Sequence, residues 1–474
     1  MSGTAPTTTR DASRHVRLHA ELAPAIDGDV LRPGAPAYDA ALPGFNLALA
    51  HRPALVVRAT SVADVVATVR GAAAHGVGVG VRSTGHGAPP TGPDELLLDV
   101  SALDRLEVEP GRRTATVGPG VPWAAVLEAG APYGLGGLCG SSPHVGVVGY
   151  TLGGGLGPLA RTFGLAADHV RSFDVVTAAG ELVTATTEEH PDLFWALRGG
   201  GGAFGVVVAM TFDLFPLSTV RAGTLWFDVD DAPAVVHRWR ERTSTLGDDV
   251  STSVARLNLP PLPDVPEPLR GRAVLVVRYV RHGSLAASDP LVDDLRRVAT
   301  PLLDAVGDLP YAQIGAVHAD PDDPMPFVER GGLLHELTED AVDAFLGAVP
   351  PDSPVLAAEI RLLGGAVART PAVPNATGGR DAACTLFTGA LGSPVGPPDV
   401  AEHLQAVHDA LAPWTTRGSL LNFAGPRDDV SAALVREAYG PATYDRLVAL
   451  RRALDPTGVL DPSSRWTVTA DVAP

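Results

Sequence analysis

Residues 76–87, with the sequence GVGVGVRSTGHG, decide how the first part of the chain is interpreted. Small and β-branched residues alternate up to Val81, which is typical of a strand, and a polar, glycine-lined turn follows from Arg82 to Gly87. Glycines allow positive φ and a close approach of the backbone to a ligand, while N–H groups beside an arginine suit an anionic group such as a pyrophosphate. A surface turn with a solvated His86 explains this stretch equally well.

The composition indicates a folded protein that binds neither nucleic acid nor an anionic membrane. Its 474 residues exceed the usual size of one hydrophobic core, and 45% of them are hydrophobic. The formal net charge is -18, from 36 basic and 54 acidic residues, and such a charge repels polyanions. The length therefore predicts two domains, or one domain with a large insertion, and the charge disfavours nucleic acid and anionic membranes as partners. The sequence does not indicate an oligomeric state.

Several chemistries are excluded by missing residue types. All the basic residues other than histidine are arginine, so a Walker P-loop, a Schiff base with pyridoxal phosphate and a lysine general base are excluded. Cys139 and Cys384 form no metal-binding or redox spacing, and no metal is expected. Because the N-terminus lacks the apolar run of a signal peptide and no stretch of about 18 apolar residues occurs, we expect a soluble, cytoplasmic protein.

A strand, helix, strand order surrounds the opening stretch. The run PALVVR at 53–58 is β-branched, and apolar residues recur with a helical period from Ser61 to Ala74. Thr60 or Ser61 is the predicted N-cap of this helix. The pattern predicts a small βαβ unit whose second strand ends at the turn that carries His86.

Residues 134–157 contain ten glycines in 24 positions. That density predicts neither an ordinary helix nor a central strand. The valines and leucines between the glycines favour a buried loop that wraps a ligand, and a flexible linker is the alternative. Further on, Gly200, Gly202 and Gly205 match GxGxxG, but the motif precedes a strand instead of following one, so a dinucleotide-binding fingerprint is rejected.

The remaining elements predict a second domain. A hairpin is expected over 171–183 and a helix over 191–198, and Pro216 closes the first region. After it, strand-like and helix-like runs alternate, which predicts a sheet backed by helices. The predicted strands are 223–229, 273–279, 356–363 and 385–389, and the predicted helices are near 232–245, 290–305, 338–347 and 430–455.

Ordered motifs over most of the chain resemble those of the vanillyl-alcohol oxidase and p-cresol methylhydroxylase flavoproteins, and within them the berberine-bridge-enzyme-like branch. The motifs are RSTGH at 82–86, PHVGV at 143–147, LGGGLG at 152–157, GLAAD at 164–168, LFWALRGGG at 193–201, FGVV at 204–207 and EIRLLGG at 359–365. The resemblance implies an α+β fold, with a PCMH-type FAD-binding domain of two subdomains and a substrate domain whose antiparallel sheet is backed by helices. The implied boundaries are a lead-in at 1–50, the FAD-binding domain at 51–216, the substrate domain at 217–425 and a C-terminal helical segment at 426–474 that returns to the FAD-binding domain.

The resemblance also implies a site for FAD. In that family the histidine of the RSxGH turn is commonly bonded to the flavin 8α carbon, and here that position is His86. Many members add a second bond from a cysteine in GxCPxVG, whereas this chain has GSSPHVG at 140–146 with Ser142 at the cysteine's place. FAD is therefore expected to be covalently bound through His86 only. The implied cofactor-binding residues are Arg82, Ser83, Thr84, Gly85, His86, Gly87, Ser142, Val145, Gly146, Gly153, Gly154, Asp168, Gly205 and Val207.

One departure concerns the catalytic base. Many relatives carry Tyr-x-Asn in the last third of the chain, where this sequence has LLNF at 420–423, so the catalytic group stays unassigned. Weak candidates are Tyr150, Tyr279 and Glu359. Three functions remain open. The first is an oxidase that transfers hydride from a small or specialised-metabolite substrate to flavin N5 with dioxygen as acceptor. The others are a flavoprotein-fold cyclase of specialised metabolism without net redox change and a flavin-binding protein with no remaining catalysis.

Overall fold

The computed structural model describes residues 9–285, 288–392, 400–416, 418–425, 430–460 and 468. The predicted lead-in at 1–50 and the predicted C-terminal segment at 426–474 lie partly outside these ranges. The α-helices are α1 (Thr9–Leu22), α2 (Val62–His75), α3 (Trp123–Gly130), α4 (Val147–Leu152), α5 (Ala160–Phe163), α6 (Pro191–Leu197), α7 (Ala232–Thr243), α8 (Pro290–Val298), α9 (Glu339–Ala348), α10 (Val400–Ala410), α11 (Ala432–Tyr439) and α12 (Pro441–Leu454). The strands are β1 (Asp29–Leu31), β2 (Leu55–Arg58), β3 (Gly78–Arg82), β4 (Glu95–Asp99), β5 (Leu106–Glu109), β6 (Thr114–Val117), β7 (Leu135–Gly136), β8 (Val170–Val176), β9 (Leu182–Ala185), β10 (Val206–Asp213), β11 (Phe215–Pro216), β12 (Thr219–Asp228), β13 (Val250–Asn258), β14 (Ala273–Arg281), β15 (Leu303–Asp304), β16 (Gly307–Pro310), β17 (Phe327–Leu334), β18 (Ala357–Leu362), β19 (Cys384–Leu391) and β20 (Thr415–Thr416).

The first sheet has the order β1-β2-β4-β3, and β2 and β3 both run parallel to β4. Helix α2 connects β2 to β3 as predicted, but β4 is inserted between them. Ser61 begins α2 with a capping box, because its hydroxyl accepts from Asp64 N and the Asp64 carboxylate accepts from Ser61 N. The helix ends at Gly76 with φ +62. Its buried Val65 and Val69 pack in one cluster with the sheet.

The second sheet is antiparallel, in the order β5-β6-β10-β8-β9. The predicted hairpin is confirmed by β8 and β9, whose turn is closed by the hydrogen bond from Gly180 N to Thr177 O at 2.8 Å. The predicted helix over 191–198 is present as α6. Trp123, Phe173 and Phe204 fill the apolar core that this sheet shares with α3, α4 and α6. Buried residues of the glycine-rich segment belong to this core.

The glycine-rich segment 134–157 contains a short helix, contrary to the sequence prediction. Helix α4 spans Val147–Leu152, where Gly149 is the one glycine and is exposed, while Val147 and Val148 are buried. The other glycines flank the helix and do not interrupt it. Gly154 and Gly155 follow at φ +104 and +78, so the chain turns sharply there. The prediction was wrong because it averaged the glycine density over the whole segment.

The third sheet is antiparallel, in the order β15-β12-β14-β13-β18-β19-β17-β20, and β16 also pairs with β12. The predicted strands are confirmed, whereas β13 and β17 were missed. Helices α7 to α10 cover one face, where Trp239 and Phe345 are fully buried. We call the opposite face the inner face; it includes Arg278, Glu359, Arg361 and Leu333. Leu333 belongs to one apolar cluster with Leu156 of the glycine-rich segment, so the inner face is directed toward that segment.

The last described residues return to the first two sheets. Helix α12 packs on α6, where the Arg446 guanidinium lies 3.9 Å from the centroid of the Trp195 ring and donates to Asp192 at 2.7 Å. Beyond the helix, Val79 N in β3 donates to Val459 O at 2.7 Å. One or two helices are predicted over 430–455, and the structure has two, α11 and α12.

Candidate functional site

The turn after β3 is shaped by one glycine. Gly85 has φ +80, and a Cβ atom at this position would lie 2.7 Å from Gly44 Cα, so only glycine fits without a backbone shift. Phe45, the next residue in that neighbouring segment, stacks on the His86 ring with centroids 3.9 Å apart and an interplanar angle of 14°. The turn and the segment around Gly44 therefore hold the imidazole in one orientation.

The expectation that Arg82 faces an anionic ligand is not met. The Arg82 guanidinium is buried, donating to Ala41 O and Leu42 O at 2.6 Å each and to the Asp99 carboxylate at 2.8 Å. These bonds tie β3 to β4 and to the N-terminal lead-in. Sequence reasoning missed them because the acceptors lie far away along the chain. Arg82 thus positions the turn but has few donors left for a phosphate.

His86 is a neutral imidazole with one uncommitted nitrogen. Its Nδ1 lies 2.9 Å from Thr84 Oγ1, whereas its Nε2 is buried and has no hydrogen-bond partner among the described residues. Burial, with a smaller contribution from nearby His144, lowers the pKa of His86 to about 4. A neutral, desolvated nitrogen at a glycine turn can act as a nucleophile or hydrogen-bond a ligand.

The predicted glycine-rich loop forms a second wall against this turn. A Cβ atom at Gly146 would lie 3.5 Å from Thr84 Cγ2 and 3.7 Å from Ser83 Oγ, so the two motifs are in contact. The Ser83 hydroxyl is used internally, since it donates to Pro119 O at 2.7 Å. Ser142 Oγ, by contrast, is buried without a partner in the described part of the chain. Two motifs that are far apart in sequence thus present unpaired polar atoms, His86 Nε2 and Ser142 Oγ, as a bound polar cofactor requires.

Other predicted cofactor residues have structural partners. The Asp168 carboxylate accepts from Leu165 N at 2.9 Å and Asn375 Nδ2 at 2.7 Å and pairs with Arg380, so it ties residues 164–168 to residues 375–380. These bonds occupy both carboxylate oxygens, and a contact of Asp168 with the cofactor stays a prediction. The remaining predicted residues have the following surroundings: Gly153 abuts Asn422, Gly154 abuts Thr377, Gly205 abuts Val175, Val145 O accepts from Trp123 N at 3.1 Å, Val207 lies in the core and Gly87 is exposed.

Cys139 is a buried, unreactive thiol. It is buried, and its Sγ contacts Gly140 O at 3.1 Å. Burial raises the pKa of Cys139 to about 12, so the thiolate is disfavoured. With Ser142 at the position that relatives use for a cysteine, the described residues contain one nucleophilic group at this wall, His86.

Of the three candidate bases, Tyr279 is on the wrong face of the sheet. Its hydroxyl donates to Asp289 Oδ1 at 2.9 Å, in a buried network with Arg281, and its ring packs in the cluster beneath α7 and α8. Its neighbour Arg278 points to the inner face. The candidate Tyr279 is therefore withdrawn, because strand alternation directs it away from the glycine-rich segment.

Tyr150 lies where the glycine-rich segment meets the third sheet. Its ring packs over Gly155, whose added Cβ would be 2.7 Å from Tyr150 Cε1, and its hydroxyl is buried without a partner among the described residues. Asn422 links this region together, accepting from Gly155 N and donating to Tyr150 O, each at 3.0 Å. Burial raises the pKa of Tyr150 well above its usual value, so its phenol stays protonated and can donate.

Glu359 is the centre of a buried charged cluster on the inner face. Its Oε2 accepts from Arg361 Nη2 at 3.1 Å, and its Oε1 lies 3.4 Å from Arg278 Nη1 and 3.8 Å from His318 Nε2. Burial opposes ionisation, but Arg361 and Arg278 outweigh it and hold the pKa of Glu359 well below its usual value. A carboxylate held in this way is a poor proton acceptor and a good anchor for cations.

A second glutamate on the inner face was not predicted from the sequence. Glu329 lies four residues before Leu333 on β17, so the two share a face. Burial raises the pKa of Glu329 to about 7, and no charged group among the described residues offsets this shift. The run FVERGGLL contains two glycines, so its strand and the alternation of its side chains were not recognised from the sequence. The inner face thus carries one carboxyl group that stays ionised and another that titrates near neutral pH.

The comparisons with known proteins agree with this geometry. Residues 53–186 match the family model of an FAD binding domain. Over 452 residues the chain is 28% identical to (R)-6-hydroxynicotine oxidase of Paenarthrobacter nicotinovorans, spanning 91% of this chain and 94% of that protein. The crystal structure of 6-hydroxy-D-nicotine oxidase from Arthrobacter nicotinovorans superposes with a TM-score of 0.79 at 26% identity, covering 94% of this chain and 98% of that one. BBE-like 1 of Physcomitrella patens superposes with a TM-score of 0.82 at 21% identity, covering 96% and 100%.

The fold and the FAD-binding match define the class: the chain is an FAD-dependent oxidoreductase with a PCMH-type fold. More particularly, the similarity to (R)-6-hydroxynicotine oxidase along most of the chain and the fold shared with BBE-like 1 agree with the resemblance to the vanillyl-alcohol oxidase and p-cresol methylhydroxylase flavoproteins.

Proposed function

We propose that the chain is an oxidase of a small organic substrate that holds FAD through a single covalent bond from His86. The observation that carries the proposal is the buried, unpartnered His86 Nε2, oriented by Phe45 and set against the Gly146 wall. Relatives named as oxidases, such as the (R)-6-hydroxynicotine and xylooligosaccharide oxidases, favour an oxidase over a cyclase. The glucooligosaccharide oxidase of Acremonium strictum, which shares the fold, carries its FAD on both a cysteinyl and a histidyl bond, and Ser142 leaves only the histidyl one possible here.

The chain's own groups divide the work of such a reaction. When bound, FAD supplies a hydride acceptor that dioxygen can reoxidise. The turn of Ser83 to His86 and the wall of Ser142 to Gly146 hold and orient it. The inner face of the third sheet covers the substrate and excludes water. Glu329, with its pKa near 7, is suited to accept the proton that leaves the substrate, because a base functions best when its pKa is close to the working pH.

The attachment is tested without a substrate. Wild-type protein is precipitated with trichloroacetic acid, and we expect flavin fluorescence to stay in the pellet and to run with the protein on a denaturing gel. In His86→Ala the flavin is expected to appear in the supernatant. The matched control is His335→Ala, because His335 is an exposed histidine outside the proposed flavin-binding turn and wall, paired with Glu336 at 3.4 Å. Cys139→Ala is likewise expected to leave attachment unchanged.

Three outcomes contradict this proposal. Acid-stable flavin in His86→Ala would show that another residue forms the bond, and extractable flavin in the wild type would show that no bond forms. A colourless wild-type protein would show that no flavin is bound. Hydrogen peroxide released on substrate oxidation, measured with a peroxidase-coupled dye, separates the oxidase from the cyclase.

A further inference from the structure

Two buried arginines on the inner face, Arg278 and Arg361, lie on the two strands that flank β13, and both pair with the same residue of β13. Ser253 on β13 pairs directly with Arg278 on β14 and with Arg361 on β18. Since neighbouring strands lie about 4.8 Å apart, the two arginine backbones are separated by roughly 10 Å and their side chains project to the same side. Both residues are 8% exposed, and Ser253 is 2% exposed.

The charges of this group do not balance. Arg278 and Arg361 share the single carboxylate of Glu359. The other titratable side chain in the group, His318, adds no negative charge. Burial and the two arginines lower the pKa of His318, although Glu359 opposes this, so the ring is neutral near pH 7. The phenol of Tyr150, which interacts electrostatically with Arg361, also stays neutral. Counted over the described residues, the group therefore retains one positive charge in a buried position, which is costly unless a counter-ion joins it.

The unpaired atoms are mainly donors. Arg361 Nη2 donates to His318 Nε2 at 3.0 Å, and because a guanidinium only donates, Nε2 is the acceptor and Nδ1 of the neutral ring carries the hydrogen. This Nδ1, together with Arg278 Nε and Nη1 and Arg361 Nη1, lacks a hydrogen-bond partner in the described ranges, as does one acceptor, Glu359 Oε1, which lies 3.4 Å from Arg278 Nη1. Buried donors without partners indicate a missing acceptor.

We propose that Arg278, Arg361 and His318 bind a carboxylate on the substrate. Planar guanidinium groups match a carboxylate's two oxygens, and the His318 Nδ1–H adds a third donor. Glu359 is a positioning residue, because it holds both arginines at the inner face. The assignment rests on the proposed function, in that the anion is part of the molecule that is oxidised, and it narrows the substrates to acids.

The test is a binding titration on the oxidised holoenzyme. The probes are acetate, benzoate and 3-phenylpropionate, each paired with its own carboxamide, and the readouts are the visible spectrum of the flavin and the melting temperature. We expect at least one acid to bind about tenfold or more tightly than its amide. Arg361→Gln and Arg278→Gln are expected to remove that preference and to leave amide binding unchanged. Arg272→Gln, which removes an exposed arginine paired with Asp228, serves as the control.

Acid and amide responses that are equal, or absent, for all three pairs would overturn the proposal, as would an acid preference that survives both glutamine variants. If a glutamine variant does not fold, Arg278→Lys keeps the charge and is expected to retain a weakened preference. Flavin attachment is measured on the same samples. Attached flavin without an acid preference refutes only the anion site. Absent flavin refutes the proposed function. In that case the melting temperature, measured with each acid and its amide, still shows whether the anion binds.

Discussion

The cofactor side of the site and the inner face of the substrate sheet are specified by different means. On the cofactor side, backbone conformation dominates: Gly85 at φ +80 fits against Gly44, and Gly146 fits against Thr84. On the inner face, conformation is ordinary strand and specificity comes from charge, with Glu359 between Arg278 and Arg361. The comparison teaches that a small change in volume should damage the first region most and a change in charge the second.

The largest effect is expected from removing the charge of Glu359. Glu359→Gln leaves two buried arginines without their carboxylate, and breaking a buried ion pair typically costs about 3–5 kcal/mol. We expect a corresponding loss in the free energy of unfolding, measured by urea denaturation followed by circular dichroism. In the wild type this contribution should be lost only in strong acid, because the pKa of Glu359 is held well below its usual value.

The matched control for this variant is Glu241→Gln, which breaks an exposed pair with Arg238 at 2.9 Å. Exposed pairs contribute about 0–1 kcal/mol. An equal loss of unfolding free energy in the two variants would mean that the inner face is as well solvated as the surface. Charge would then not distinguish the inner face from the cofactor side.

A smaller but more local effect is expected on the cofactor side. In Gly85→Ala, a methyl group must enter a space 2.7 Å from Gly44 Cα at a positive φ, a strain of about 1–3 kcal/mol. We expect the turn to shift and flavin incorporation to fall, measured as the ratio of visible to ultraviolet absorbance. Gly34→Ala is the control, since Gly34 also has a positive φ, +87, but a Cβ atom there meets nothing within 4 Å. Full incorporation in Gly85→Ala would contradict the view that backbone fit specifies this side.

Glu329 sharpens the comparison through pH. Its pKa is raised to about 7, so the stability contributed by its bound proton is present in full below about pH 4 and is lost as the pH rises through 7. Glu329→Gln stays neutral, and its stability relative to the wild type should therefore rise between pH 5 and pH 8. Melting temperatures at the two pH values measure this, and a difference that does not change with pH would refute the raised pKa.

The smallest effect is expected from Tyr279→Phe. The hydroxyl bonds to Asp289 beneath the helices, so its loss should cost about 1 kcal/mol and leave peroxide production unchanged. A severe loss of turnover at unchanged stability would make Tyr279 a catalytic candidate again.

The sequence predicts the elements around the cofactor well, because the relevant signals are local. The Ser61 cap and the hairpin turn at Gly180 each depend on residues a few positions apart. The motifs of the flavin turn are also contiguous. By contrast, the partners of Arg82 and Asp168 come from distant segments, and no local pattern indicates them.

The inner face was predicted poorly for a related reason. Arg278 and Tyr279 are adjacent, and only the register of the sheet shows which of them faces the site. Strand β13 was missed although VSTSVARLN alternates and is rich in β-branched residues, a signal that could have been used. Without β13, the direct opposition of Arg278 and Arg361 across Ser253 cannot be seen.

The pairing of β3 with the last described segment bears on how the protein is made. Val79 hydrogen-bonds to Val459, and Asp455 fixes that segment by accepting from Val459 N and Leu460 N at 2.9 Å each. During synthesis β3 leaves the ribosome early, whereas its partner leaves hundreds of residues later. The strand that leads to His86 therefore stays incompletely paired until nearly the whole chain has emerged. Under the proposed function, chains that stop before Asp455 should consequently load FAD poorly.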